Sequence, residues 1–82
     1  MNLLFADAVA NRHPSTQHFG PLFDFEHLPA PLQDISRGFN SLAVALLDLV
    51  QDGPELSAGL RKLVEAKDCA VRQAVIDNGG RI

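Results

Sequence analysis

From Leu32 onward, apolar residues recur at alternating spacings of three and four: Leu32, Ile35, Phe39, Leu42, Leu46 and Leu49. That pattern is a heptad seam and predicts a first long helix over residues 31–51. Pro31 suits its first turn, where a missing N–H costs nothing. A second stripe of Ala43, Leu47 and Val50 widens the apolar face, and Gly38 sits inside it at some propensity cost. Asp52-Gly53-Pro54-Glu55 then breaks the chain, with Asp52 read as an N-cap and Glu55 as its partner in an Asp variant of the capping box. The second long helix spans 54–77. Its seam is Leu56, Leu60, Leu63, Ala70 and Ala74, flanked by Val64, Val71 and Val75, and Asn78-Gly79-Gly80 ends it.

Before the seam the pattern changes. Residues 1–11 carry Leu3, Leu4, Phe5 and Val9, which suit a short helix that needs a partner surface. Residues 12–31 form a proline-rich arm, where prolines at 14, 21, 29 and 31 forbid a continuous helix. Phe19, Phe23 and Phe25 lie within it, so the arm is expected against the body of the protein or of a neighbour. There is no strand pattern, repeat or low-complexity tract. The fold class expected is all-α. The chain reads as a single domain over 1–82, an antiparallel helical hairpin with a short N-terminal helix and a proline-rich arm. Two helices of roughly 20 to 24 residues, roughly 30 to 36 Å long, cover each other on one side only. Their second stripes stay wet in a monomer, which predicts a homo-oligomer.

Composition narrows the functions available. One cysteine, Cys69, rules out an internal disulfide, and no Cys/His spacing fits zinc. No metal or cofactor is expected. The net charge of -3 argues against binding duplex nucleic acid. Yet Arg61, Lys62, Lys67 and Arg72 outnumber Glu65 and Asp68 along the second helix, a local basic excess that suits a small anionic ligand. The N-terminal apolar run, interrupted by Asp7 and lacking a basic leader, reads as neither signal peptide nor membrane span. The expected location is the cytoplasm, a host cytoplasm for a viral gene.

Lys67 is the most informative residue, because it occupies a seam position followed by Ala70, Val71 and Ala74. A lysine there must snorkel, pair with an acid such as Asp34 across the hairpin, or contact an anion. Antiparallel pairing about Asp52 sets Lys67 level with Arg37, and Arg72 near the start of the first helix. Two cations beside Phe39 would then make a phosphate pocket with a ring for stacking. Arg61 and Arg72 share a face with Glu65 and Asp68 between them, as a solvated stripe of ion pairs or as phosphate ligands. His13, His18 and His27 are spaced too irregularly for a metal motif and read as surface or loop residues. Cys69 reads as a small packed residue. No nucleophile elbow, paired carboxylates or phosphate-binding glycine loop is present, so an enzyme is not expected.

The segment Leu60-Arg61-Lys62-Leu63-Val64-Glu65-Ala66-Lys67-Asp68-Cys69-Ala70-Val71-Arg72 resembles the C-terminal helix of a phage family. These are the small hairpin-domain sponges that counter the CBASS and Thoeris defence systems. A Lys-Leu-x-Glu-Ala core (Lys62 to Ala66) after an acidic-glycine turn (Asp52 to Glu55) carries the likeness. So do the His13-Pro14 pair and Phe39-Asn40-Ser41-Leu42-Ala43, and together they cover residues 12–76. The resemblance implies an anti-defence oligomer, commonly a hexamer, that sequesters cyclic di- or trinucleotides or cyclic ADP-ribose-type signals between protomers without degrading them. It also implies ligand contacts from Arg37, Arg61 and Arg72, with Lys67, Phe39 and His13 as further candidates. Many relatives carry aromatic residues where this chain has Lys67-Asp68-Cys69, so base stacking falls to Phe39 or to Phe19, Phe23 or Phe25. The alternative is a structural or adaptor oligomer whose partner is a protein.

Overall fold

Four prolines set where helices begin. Pro14, Pro21, Pro31 and Pro54 each stand in a first turn, where the fixed φ helps and no N–H is needed. The computed structural model describes residues 4–80. These form α1 (Phe5–Ala8), α2 (Pro14–Gln17), a 3₁₀ turn (Gly20–Phe23), α3 (Ala30–Leu49) and α4 (Pro54–Asp77), with no strand among the described residues. The chain is therefore all-α. The N-terminal helix is shorter than its sequence suggests; the part of that expectation on residues 1–3, Leu3 included, lies outside the described residues. The proline-rich arm is more ordered than expected, holding α2 and the 3₁₀ turn. At its far end α4 stops through Gly79 and Gly80, whose φ values of 69° and 75° favour glycine, and the Gly80 N–H returns to the Val75 carbonyl at 2.8 Å.

The packing follows from competition for the apolar surface of α3. The heptad line is buried only in part: Leu32 is enclosed and Phe39 and Leu46 pack against the core, but Leu42 is 50% and Leu49 79% exposed. The enclosed residues are Leu32, Ser36, Asn40, Ala43 and Leu47, a line with spacings of four, four, three and four. Phe5, Phe19 and Phe23, all fully buried, pack into one cluster with Ala43, Leu47, Leu56 and Leu60. Phe5 and Phe23 meet at 4.7 Å between ring centroids, tilted by 55°. An aromatic side chain buries about 150–250 Å², so these rings outcompete the heptad leucines for cover. Ala43, fully buried in the same cluster, is the small residue that lets them in close. The two long helices pack against each other, and α1 and the 3₁₀ turn lie against α3.

The arm is also tied down at the loop joining α3 to α4. Asp52 does not cap α4; the N-cap is Gly53, without a side-chain hydrogen bond. Its carboxylate accepts instead from the Thr16 hydroxyl at 2.7 Å, the Arg12 Nε at 2.9 Å and the His13 backbone N–H at 3.0 Å. Arg12 further donates to the carbonyls of Leu47 and Val50. These bonds, the Thr16 hydroxyl foremost, pull the Asp52 carboxyl from 3.8 down to about 2. The capping-box reading failed because tertiary donors offered this carboxylate more than the local helix end did.

Candidate functional site

A cleft of about 360 Å³ opens where the arm crosses the long helices, away from the loop that joins them. Pro21, Leu22, Asp24, His27 and Leu28 form one wall, Ser36 of α3 lies at the floor, and Lys67, Asp68, Val71 and Arg72 of α4 form the other wall. Lys67 and Arg72 are thus brought together, five residues apart on one helix.

Lys67 is held inward. Its side chain is 13% exposed and its ammonium donates to the Leu22 carbonyl. The same ammonium lies 3.7 Å from the Asp68 carboxylate and 5.9 Å from the centre of the Phe23 ring. An enclosed ammonium needs such partners, since a buried cation without them is expensive. The acid it pairs with is its neighbour, not Asp34. Arg72 is exposed and, among the described residues, makes a single side-chain hydrogen bond, to Cys69 Sγ at 3.3 Å. Cys69 itself is exposed, contrary to its reading as a packed residue.

The floor carries an anomaly. Ser36 is fully enclosed and its hydroxyl has no hydrogen-bond partner among the described residues. A buried, unpaired hydroxyl costs about 1–3 kcal/mol, and an alanine there would avoid it. A serine in a helix usually returns its hydroxyl to the carbonyl four residues back; this one does not.

The other expected ligand residues go elsewhere. Arg37 pairs with Asp34 at 2.7 Å, lies 5.1 Å over the Phe25 ring and does not line the cleft. Arg61 lies 5.4 Å over Phe19. Phe39 is half-buried against the aromatic cluster rather than open beside the cations. Phe19 and Phe23 are fully buried and Phe25 is 6% exposed, which closes the route to base stacking through them in this arrangement. His13 stands at the opposite end of the molecule, at the α3–α4 loop, where its Nδ1 accepts from the Ser15 N–H at 3.0 Å and caps α2. Lys67 lies thirteen residues beyond Pro54, roughly 20 Å along the helix. Among the described residues no group of three His, Cys, Asp or Glu side chains converges to hold a metal.

Sequence reasoning missed Ser36, Asp24 and the Leu22 carbonyl. Ser36 falls four residues after Leu32 and four before Asn40, on a line whose burial the arm decides.

A second concave surface lies on the α3–α4 pair, lined by Leu46, Val50, Pro54, Leu56, Gly59 and Leu60. The exposed side chains of Leu42, Leu49 and Val50 belong to the same stretch of α3. No helix of the described residues is long and apolar enough to cross a membrane. Comparison with known protein families, with curated proteins and with solved structures finds no match to the chain.

Proposed function

We propose that this chain is a non-catalytic sponge, a helical hairpin assembled as a homo-oligomer, most simply a hexamer. It binds cyclic di- or trinucleotides, or cyclic ADP-ribose-type signals, in the host cytoplasm and so blocks an anti-phage defence. The observation that carries the reading is the Lys67–Arg72 cleft with its unpartnered Ser36 hydroxyl. It gathers cationic donors and a spare polar group in one hollow, as anion binding requires. The resemblance of residues 12–76 supplies the ligand class.

Shape supports assembly. The radius of gyration is 13.1 Å, against about 12 Å for a compact chain of this length, and the molecule is a slab of 40 × 26 × 18 Å. A slab with leucines on one face gains by stacking.

Thermal denaturation against a panel of cyclic di- and trinucleotides and cyclic ADP-ribose isomers tests the reading. A ligand at about 100 times its Kd adds about 2.7 kcal/mol, which raises the melting temperature by about 10–20 °C in a domain of this size. Arg72→Glu should remove that rise and leave the unliganded melt nearly unchanged, since the Arg72 side chain is exposed and bonds to a thiol, a weak acceptor. No rise with any member of the panel refutes the sponge.

A second reading, a structural or adaptor oligomer, is favoured by the exposed Leu42, Leu49 and Val50 beside the apolar groove. It expects Leu49→Asp to disable partner binding and Arg72→Glu to be silent.

A further inference from the structure

We infer that the cleft is a subsite for one phosphate group, with Ser36 giving it a hydrogen bond and Lys67 and Arg72 giving it charge. The inference deepens the sponge reading: it names the ligand group that the cleft takes and places the subsite within one protomer.

Three observations converge on it. The Ser36 hydroxyl is fully enclosed and unpartnered, so a donor stands at the floor with nothing to donate to. The Lys67 ammonium is held by a neutral acceptor, the Leu22 carbonyl, while Asp68 at 3.7 Å lies beyond hydrogen-bond reach. An anionic oxygen is a stronger acceptor than a carbonyl, so an incoming phosphate replaces this bond favourably. Arg72 spends one donor on a thiol, a weak acceptor, and keeps the rest of its fork for a ligand.

The same cleft sets limits on the anion. Asp24 and Asp68 line it as well, so two carboxylates oppose two cations and a doubly charged group is disfavoured. A phosphodiester, with one negative charge, fits this balance better than a phosphate monoester. Because Ser36 is enclosed, the group reaches it as the cleft walls part, and exchange of Lys67 from the Leu22 carbonyl to phosphate is the step that frees them.

The test uses dimethyl phosphate, a bare diester, titrated into the isotope-labelled full chain and followed by amide and arginine Nε resonances. Saturable shifts are expected at Ser36, along 67–72 and at Arg72 Nε. Ser36→Ala should weaken binding roughly tenfold, the worth of one charge-assisted hydrogen bond, while melting at or above the parent temperature without ligand. Arg72→Gln, altered at an exposed side chain, should also weaken binding and leave the spectrum of the fold intact. Absence of saturable shifts overturns the inference, as does equal binding by Ser36→Ala. A lower unliganded melting temperature for Ser36→Ala also overturns it, because the hydroxyl would then be a structural partner. If cyclic nucleotides bind where dimethyl phosphate does not, the phosphate subsite falls and the sponge stands. If dimethyl phosphate binds and no cyclic nucleotide does, the sponge falls and the subsite stands.

Discussion

Replacing Asn40 by leucine probes how the N-terminal segment is fastened to the helices. The first N–H of a helix has no partner within it, and Leu4, at the N-cap of α1, offers no side chain to satisfy it. Asn40 of α3 serves instead: its Oδ1 accepts from the Phe5 N–H at 2.8 Å, with Asn40 1% exposed and Phe5 fully buried. Leucine nearly matches asparagine in shape, so no large cavity opens, but the Phe5 amide is left enclosed without an acceptor. Such a loss costs about 1–3 kcal/mol, and the extra apolar burial offsets part of it, leaving a net loss of about 1–2 kcal/mol. A chain of this length has total stability of about 4–12 kcal/mol, so the change is a substantial share. At about 4–8 °C per kcal/mol, the melting temperature should fall by about 5–15 °C. Circular dichroism reads that fall, and amide exchange at Phe5 locates it. An unchanged melt together with unchanged protection of the Phe5 amide would refute the assignment of Asn40 as a tertiary cap.

The remaining predictions concern charge. Asp52 titrates at about 2 in the fold against an ordinary 3.8, a depression caused first by the Thr16 hydroxyl, then by the His13 N–H and Arg12. A depressed carboxyl stabilises fully above its unfolded value and loses that contribution as pH falls through its folded one. The parent should therefore lose stability between about pH 4 and pH 2 through this group. Asp52→Asn should be less stable at pH 7 and flatter across that window; equal slopes for the two proteins in acid denaturation would contradict the hub. Arg61→Gln removes a cation over Phe19 at an exposed site, a contact worth about 0.5–1 kcal/mol. It should lower the melting temperature by a few degrees and leave ligand binding intact; lost binding with an unchanged melt would make Arg61 a ligand residue instead.

Much of the architecture was legible because it is local. Pro31 and Pro54 announced where α3 and α4 begin, and Asn78-Gly79-Gly80 announced where α4 ends. The all-α class followed from periodicity. What periodicity did not carry was the facing of α3. Heptad spacing identifies an apolar stripe, but several lines on one helix were apolar enough, and the arm chose among them. Its phenylalanines selected the line holding Ser36, Asn40 and Ala43, which scores poorly by hydropathy and well by size and hydrogen bonding. Asp52 was misread for a related reason. A capping box is a contest between local and distant donors, and residues thirty-six to forty positions away decided it. For the candidate cleft, Lys67 stood out by its seam position, while helix pattern left Arg72 open between a solvated stripe and a ligand contact. Ser36 and the Leu22 carbonyl were not legible, because both depend on the course of an irregular segment.

The three phenylalanines of the arm explain why a cationic helix face need not be a binding face. Phe19, Phe23 and Phe25 are each buried with one basic group lying over the ring: Arg61, Lys67 and Arg37 respectively, at 5.4, 5.9 and 5.1 Å. A sequence that contains only the cations cannot distinguish a cation that covers a ring from one that awaits an anion, since both sit on an exposed or seam position near an aromatic. The arm removes the ambiguity by occupying those cations one by one. Among the described residues Arg72 has neither a ring nor a carboxylate paired with it, and it lines the hollow where the Ser36 hydroxyl has no partner. Lys67 stands between the two groups, covering Phe23 while lining the cleft. A ligand that draws on Lys67 must therefore also act on the arm, because the ammonium it takes is the one now bonded to the Leu22 carbonyl. Binding and arm packing share a residue, and a change in either should be felt in the other.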